Sequence, residues 1–220
     1  MRVSEAAWIA SALADIPVAA RGPLLNVGSS TAAFREKKQP HIDHLVFAPL
    51  RAAGVEVVHT DLKPEIGVDV AGDLREPTLQ AALRARAAGV VLCSNMLEHV
   101  ADPPGLARIL RSLVSAGHLV VTVPHSYPYH PDPIDTGYRP TPSEIGALFP
   151  DCEVIRAEIV EDTTLLGEFI QSGTSGLVSA ARLMCGALRP IALNGRIHRG
   201  RLPWLVRRFS ASCVVLRTRR

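Results

Sequence analysis

Four short apolar runs, each stopped by small or polar residues, constrain this chain more than any other feature. They are Leu24-Leu25-Asn26-Val27-Gly28, Val55-Glu56-Val57-Val58-His59, residues 89–94 and Leu119-Val120-Val121-Thr122-Val123. Around them, residues 4–15, 41–53, 77–87 and 103–115 have helical spacing or helix-forming composition. Ser4 is the expected N-cap of the first helix, and Pro103 and Pro104 suit the first turn of the last. Strands alternating with helices at this spacing predict βαβ units and a parallel sheet. Near-continuous apolar strands agree, because such a sheet is covered on both faces. Residues 68–74 add a short edge segment. A helix at 143–149, a strand at 153–160 and a last strand at 213–217 complete the pattern. Strand Leu119–Val123 is read as closed by Pro124.

Composition narrows the classes further. The chain has 220 residues, 47% hydrophobic and 20% charged, which suits one buried core and not a disordered chain. No stretch of 18 uncharged apolar residues is present, so no membrane-spanning helix is expected. Glu5 and Asp15 interrupt the apolar N-terminal stretch, which makes a poor secretory signal. Four dispersed cysteines without a CxxC pair predict neither a zinc site nor a disulfide framework, and fit a cytoplasmic protein. The formal charge of +3 hides an asymmetry: the first 168 residues carry 14 basic and 21 acidic side chains, the last 52 carry ten arginines and no acid.

Ligands of an open α/β sheet bind beyond the carboxyl ends of the strands. Here those ends are Asn26-Val27-Gly28-Ser29-Ser30-Thr31, Thr60-Asp61, Asp73-Leu74 and Ser94-Asn95-Met96-Leu97-Glu98-His99. Small residues let a ligand approach the backbone, and Asp61 suits the paired hydroxyls of a ribose, at about 1.5–3 kcal/mol per hydrogen bond to a charged acceptor. Taken singly, Asp61 and Asp73 also read as turn residues, Ser30 as a helix cap, Asp102 as an N-cap, and Glu98-His99 as the start of the next helix.

The segment Val90-Val91-Leu92-Cys93-Ser94-Asn95-Met96-Leu97-Glu98-His99-Val100 with Asp102-Pro103, together with the order Asp61 then Asp73, resembles the class I S-adenosylmethionine-dependent methyltransferases, in particular the small type 11 group. The resemblance covers residues 20–160. It implies an α/β, Rossmann-like doubly wound, mostly parallel seven-stranded sheet over a single domain, 1–220. Residues 164–209, expected as a helical insertion before the last strand, lie where the family usually has only a hairpin or short connection. It implies S-adenosylmethionine as cofactor: Asn26, Gly28 and Ser30 on the methionine side, Asp61 at the ribose, Asp73 and Leu74 at the adenine, Ser94 and Asn95 at the pocket floor. The first loop departs from the family pattern. Asn26 stands where an acid is usual, and Gly28 alone survives of three alternating glycines.

The loop 124–142 holds two histidines, three tyrosines, two aspartates, an arginine and six prolines. The resemblance places it over the reactive methyl. Holding donor and acceptor close and collinear supplies most of the catalysis. A hydroxyl acceptor also needs a base, and histidine titrates in the right range. His125 is the first candidate and His130 the second, with Asp135 or Asp132 orienting it. Tyr127, Tyr129, Tyr138 and Arg139 are candidate substrate-binding residues. His130, Asp132 and Asp135 can equally serve to bond the loop to itself. No metal site is assigned, because His125, His130, Asp132 and Asp135 match no ligand spacing.

The basic stretch 177–209 interleaves Arg199, Arg201, Arg207 and Arg208 with Trp204 and Phe209. It reads as a lid or packing element, as a contact to an anionic membrane surface or lipid-linked substrate at the inner face of the membrane, or, weighed least, as a nucleic-acid contact. The expected function is O-methylation of a saccharide or other small hydroxyl-bearing acceptor. Competing expectations are a degenerate, non-catalytic binding partner and an NAD(P)-dependent oxidoreductase, the latter disfavoured because no GxGxxG loop is present.

Overall fold

The computed structural model describes residues 1–130, 134–171, 191–193, 196–198 and 202–219. Helix α1 (Val3–Ala14) leads into β1 (Leu24–Val27). Residues 34–52 form a helical segment of mixed α- and π-type turns. Then follow β2 (Val57–Asp61), β3 (Val70–Ala71), a helix Pro77–Arg84, β4 (Val90–Ser94), a helix Pro103–Ser112, β5 (His118–Ser126), a helix Pro142–Ala147 and β6 (Cys152–Glu161). Between β6 and the last strand lie a helix Leu165–Gln171, a hairpin of β7 (Ile191–Leu193) and β8 (Arg196–His198), and a 3-10 turn Leu202–Leu205. Strand β9 (Ser210–Thr218) closes the chain.

The sheet order is β3-β2-β1-β4-β5-β9-β6. β1 to β5 pair in parallel, and β9 runs antiparallel to both β5 and β6. The expected seven-stranded, mostly parallel sheet is therefore present. Alternation along each strand separates two cores. Leu25, Val27, Val91 and Cys93 face the helices Pro77–Arg84, Pro103–Ser112 and Pro142–Ala147. Leu24, Val90, Leu92 and Val120 face α1 and the segment 34–52. Burial on both faces is what the near-continuous apolar runs require.

Three local expectations are corrected. Ser4 lies inside α1, whose N-cap is Arg2; the Ser4 hydroxyl and N–H donate instead to Asp162 (2.7 and 3.2 Å). β5 does not stop at Pro124. It continues to Ser126 through a bulge between Pro124 and Ser126, where an unpaired residue is tolerated and proline's missing N–H does little harm. β9 begins at Ser210, because Ser210 to Ser212 pair with this extension of β5. Asp102 is the N-cap expected of it, its Oδ1 accepting from the Gly105 N–H at 2.9 Å. Of the insertion, residues 172–190, 194–195 and 199–201 lie outside the described residues, and with them most of the basic stretch 177–209. No helix among the described residues is long and apolar enough to cross a membrane.

Candidate active site

The carboxyl ends of β1, β2 and β4 open into one cavity of about 1680 Å³. Pockets for a drug-sized ligand occupy roughly 300–1,000 Å³, so this space suits two ligands side by side. Asn26, Gly28, Ser30, Asp61, Asp73, Leu74, Ser94 and Asn95 all line it.

The loop after β1 is shaped by backbone geometry. Gly28 sits at φ +71°, and a Cβ there would lie 2.9 Å from Met96 Sδ. Gly28 and Ser29 donate their N–H groups to the Thr60 carbonyl at 2.9 and 3.0 Å. Ser30, at φ +55°, donates its N–H to Asp61 Oδ2 at 2.7 Å. Asp61 therefore anchors the loop with one oxygen while it lines the cavity. Thr31 caps the following turn, its hydroxyl accepting from the Phe34 N–H.

Two buried residues organise this wall, and neither was singled out from sequence. Arg35, 3% exposed, donates from Nη1 to the carbonyls of Ser29 (2.9 Å) and Ser30 (2.6 Å) and from Nη2 to that of Gly67 (2.7 Å). Burial lowers its pKa, yet an arginine keeps its charge here, compensated by the three carbonyl dipoles. Glu5 of α1, 2% exposed, accepts at Oε1 from Thr122 Oγ1 (2.6 Å), Asn95 Nδ2 (2.9 Å) and Ser94 Oγ (3.1 Å). Its Oε2 accepts from the Arg2 N–H at 3.1 Å. Glu5 thus ties α1 to the ends of β4 and β5 beneath the cavity. A signal existed: Glu5 falls on the apolar stripe of α1 with Ile9 and Leu13.

Asn26 and His59 form a buried pair, Asn26 Nδ2 lying 3.0 Å from His59 Nδ1. Burial, reinforced by the Arg35 charge, lowers the His59 pKa to about 4. Neutral His59 accepts from the Asn26 amide, which leaves the amide oxygen as the group Asn26 can offer a ligand. Asp73 stands at the rim with its carboxylate held by Arg75 Nε and Nη2 (3.0 and 2.6 Å), a pairing that lowers its pKa.

The acceptor side departs from expectation. His125, on the bulge of β5, does not line the cavity; its Nδ1 lies 3.3 Å from the Pro140 carbonyl. Asp135 is a structural node: its side chain is fully buried and accepts from Arg139 Nη1 and Nη2 (3.0 and 2.6 Å) and from the N–H groups of His130 (2.9 Å) and Gly137 (2.8 Å). Burial works against its charge, but these donors outweigh it and hold the carboxyl at about 2. Arg139 is consumed by this pair and by the Tyr138 and Pro128 carbonyls, and Tyr138 packs on the core. Neither these two nor Tyr129 lines the cavity. Asp132 lies outside the described residues. Of the residues expected on this side, His130 and Tyr127 do line it, joined by His99.

Behind this wall Glu98 is fully buried, and neither carboxylate oxygen has a hydrogen-bond partner among the described residues. Desolvation, with the charge of Glu5 as a further cause, raises its pKa to about 8. The Glu98 carbonyl accepts from Thr136 N–H and Oγ1 (2.9 and 3.0 Å), which binds the loop to this turn.

The fold is shared with solved structures. A SAM-dependent methyltransferase from Archaeoglobus fulgidus is similar with a TM-score of 0.51 at 12% identity, over 96% of this chain and 93% of that one. The MccD protein gives 0.52 at 9% identity, over 96% of each chain. The [4+2]-cyclase SpnF gives 0.52 at 14% identity, over 96% of this chain and 80% of its own. No protein-family model matches the chain, and no curated protein matches its sequence. The chain has the class I methyltransferase fold. A cyclase among its neighbours shows that the fold alone does not set the reaction, which must be argued from the site.

Proposed function

We propose that this protein binds S-adenosylmethionine and transfers its methyl group to a hydroxyl of a small or glycan-type acceptor. One observation carries the reading: the eight residues that the resemblance implies as cofactor contacts line a single cavity at the carboxyl edge of a class I methyltransferase fold. The cavity fits the group chemically. Gly28, at positive φ, lines the cavity without a side chain, Asn26 offers an amide oxygen, and Asp61 Oδ1, which accepts from the Lys63 N–H at a long 3.5 Å, can accept again. Asp61 would hold the ribose hydroxyls, Leu74 would lie against the adenine, and Ser94 and Asn95, set by Glu5, would form the floor. When bound, the cofactor supplies an electrophilic methyl.

The chain's own residues do the rest. The acceptor wall offers His130 Nε2, since its Nδ1 faces the Pro128 carbonyl and Asp135 (both 3.2 Å). Burial lowers the His130 pKa, so the ring is neutral and can take a hydroxyl proton. The base role expected of His125 thereby passes to His130. Tyr127 presents an aromatic ring, packed on Phe209 (5.3 Å), which in turn stacks on Trp204 (5.4 Å). Arg207 lies over Trp204 and donates from Nε to Ser126 Oγ at 2.9 Å. These contacts support the lid or packing reading for residues 202–209. An aromatic wall beside hydrogen-bonding imidazoles supports a saccharide as acceptor class.

The test is transfer of a deuterated methyl from the cofactor to a panel of saccharides and phenols, read by mass spectrometry. Label on a hydroxyl oxygen, reduced at least tenfold by His130→Ala, is the expected result. Cofactor binding with no transfer to any acceptor would favour the non-catalytic partner protein, and NADH binding in its place the oxidoreductase.

A further inference from the structure

We propose that Glu98, His99 and His130 form a binding site for one divalent transition-metal ion of the zinc type, set in the acceptor wall of the cavity. One ligand atom from each lies within 4.8 Å of the other two. His99 Nε2 stands 3.6 Å from Glu98 Oε1. Zinc bonds of about 2.0–2.1 Å to nitrogen and oxygen separate tetrahedral ligands by about 3.3–3.4 Å, so this pair is already near ligand spacing.

The groups behind the ligands carry the argument further. A metal-binding imidazole donates its other N–H to a carbonyl or carboxylate, which fixes the tautomer and aims the free nitrogen. His99 Nδ1 makes a close contact with the Ile134 carbonyl, and His130 Nδ1 faces both the Pro128 carbonyl and Asp135 Oδ2. Both rings therefore turn Nε2 away from these partners, and they meet edge to face at 5.2 Å. Glu98 is the independent observation. A fully buried carboxylate whose oxygens have no hydrogen-bond partner among the described residues is costly, and a divalent cation removes that cost. Two imidazoles, one carboxylate and an open position form a donor set that suits zinc-type ions over magnesium or calcium. His99 and His130 line the cavity, so the open position faces it. An ion there would occupy His130 Nε2 and so replace its base role, holding an acceptor hydroxyl and lowering its pKa instead; that role rests on the methyltransferase reading, whereas the site itself does not.

The experiment uses the full chain stripped with EDTA and titrated with Zn²⁺ and with Co²⁺, read by calorimetry and by visible absorption of the cobalt form. One ion per chain is expected, undisturbed by millimolar Mg²⁺. His130→Ala and His99→Gln should each weaken binding at least about 100-fold, at the upper end of the roughly 10–100-fold that follows loss of a group behind a ligand. Glu98→Gln, close to isosteric, should show the same loss and serves if a histidine variant fails to fold. Absence of stoichiometric binding to the wild type, or affinity unchanged in the variants that fold, would overturn the site. Binding of the demethylated cofactor to the metal-free protein is measured in parallel. Failure there strikes the methyltransferase reading and leaves the ion site standing.

Discussion

The two walls of the cavity are built by opposite means. The cofactor wall is made of strand ends, and its side chains are wired from behind by charges taken out of solvent: Arg35 under the first loop and Glu5 under the ends of β4 and β5. The acceptor wall is a proline-rich loop folded around its own ion pair, Asp135 with Arg139, and its cavity-facing imidazoles stand in front of an unpartnered acid, Glu98. On the first wall Arg35 and Glu5 are paired before any ligand arrives, and Thr60 Oγ1 has no hydrogen-bond partner among the described residues. The other still has an unmet electrostatic demand. The difference teaches where function is adjustable: the first wall suits an invariant ligand, the second a variable one.

The largest effect that would break this contrast comes from Glu5. Glu5→Leu leaves the Arg2 N–H, Ser94, Asn95 and Thr122 without their common acceptor, and should cost about 3–5 kcal/mol, since each buried donor left unsatisfied costs about 1–3 kcal/mol. Each kcal/mol moves the Tm of a domain this size by about 2–4 °C, so thermal unfolding reads it directly. Arg35→Met should cost about 3 kcal/mol through its lost charged hydrogen bonds, and should also weaken cofactor binding, because the Ser29 and Ser30 carbonyls lose their clamp.

A pH effect of similar size belongs to the same wall. The folded-state pKa of His59, about 4, lies below the ordinary 6.5. The stability it contributes is present above pH 6.5 and is lost as pH falls through about 4. The full change is about 3 kcal/mol. Protonation of the folded form also removes the acceptor that orients Asn26, so cofactor affinity should fall only as pH drops through about 4. Urea unfolding of the wild type and His59→Gln at pH 7 and pH 4 checks this: the variant's stability should change less between the two. On the acceptor wall, Asp135→Asn should cost on the order of 2 kcal/mol and lower turnover by loosening His130. The smallest effect expected is that of His125→Ala, with turnover changed less than twofold in the methyl-transfer assay. A large loss there would return His125 to the reaction and break the contrast.

The contrast also governs what was legible in the sequence. Strand ends are read from periodicity, and Asn26, Gly28, Asp61 and Ser94 each lie within one residue of the carboxyl end of a strand, so local pattern reaches them. Glu5 and Arg35 were passed over because their partners lie far along the chain: Glu5 meets Thr122, 117 residues away. The acceptor loop has no period. Proximity to the end of β5 singled out His125, but a bulge after Pro124 turns the chain there, and a bulge leaves no sign in a run such as Val123-Pro124-His125. Asp135 and Arg139 are four residues apart, an ion-pair spacing in plain view. Nothing local distinguishes a charge that binds substrate or orients a histidine from one that binds its neighbour.

The central claim is that the strand-end wall is a cofactor site. Calorimetric titration of the demethylated cofactor into the wild type and Asp61→Ala tests it most directly. One molecule bound per chain, with the variant at least about 100-fold weaker for the loss of two hydrogen bonds to a charged acceptor, is the result this account predicts. No heat at millimolar ligand, or equal affinity in both proteins, would contradict it.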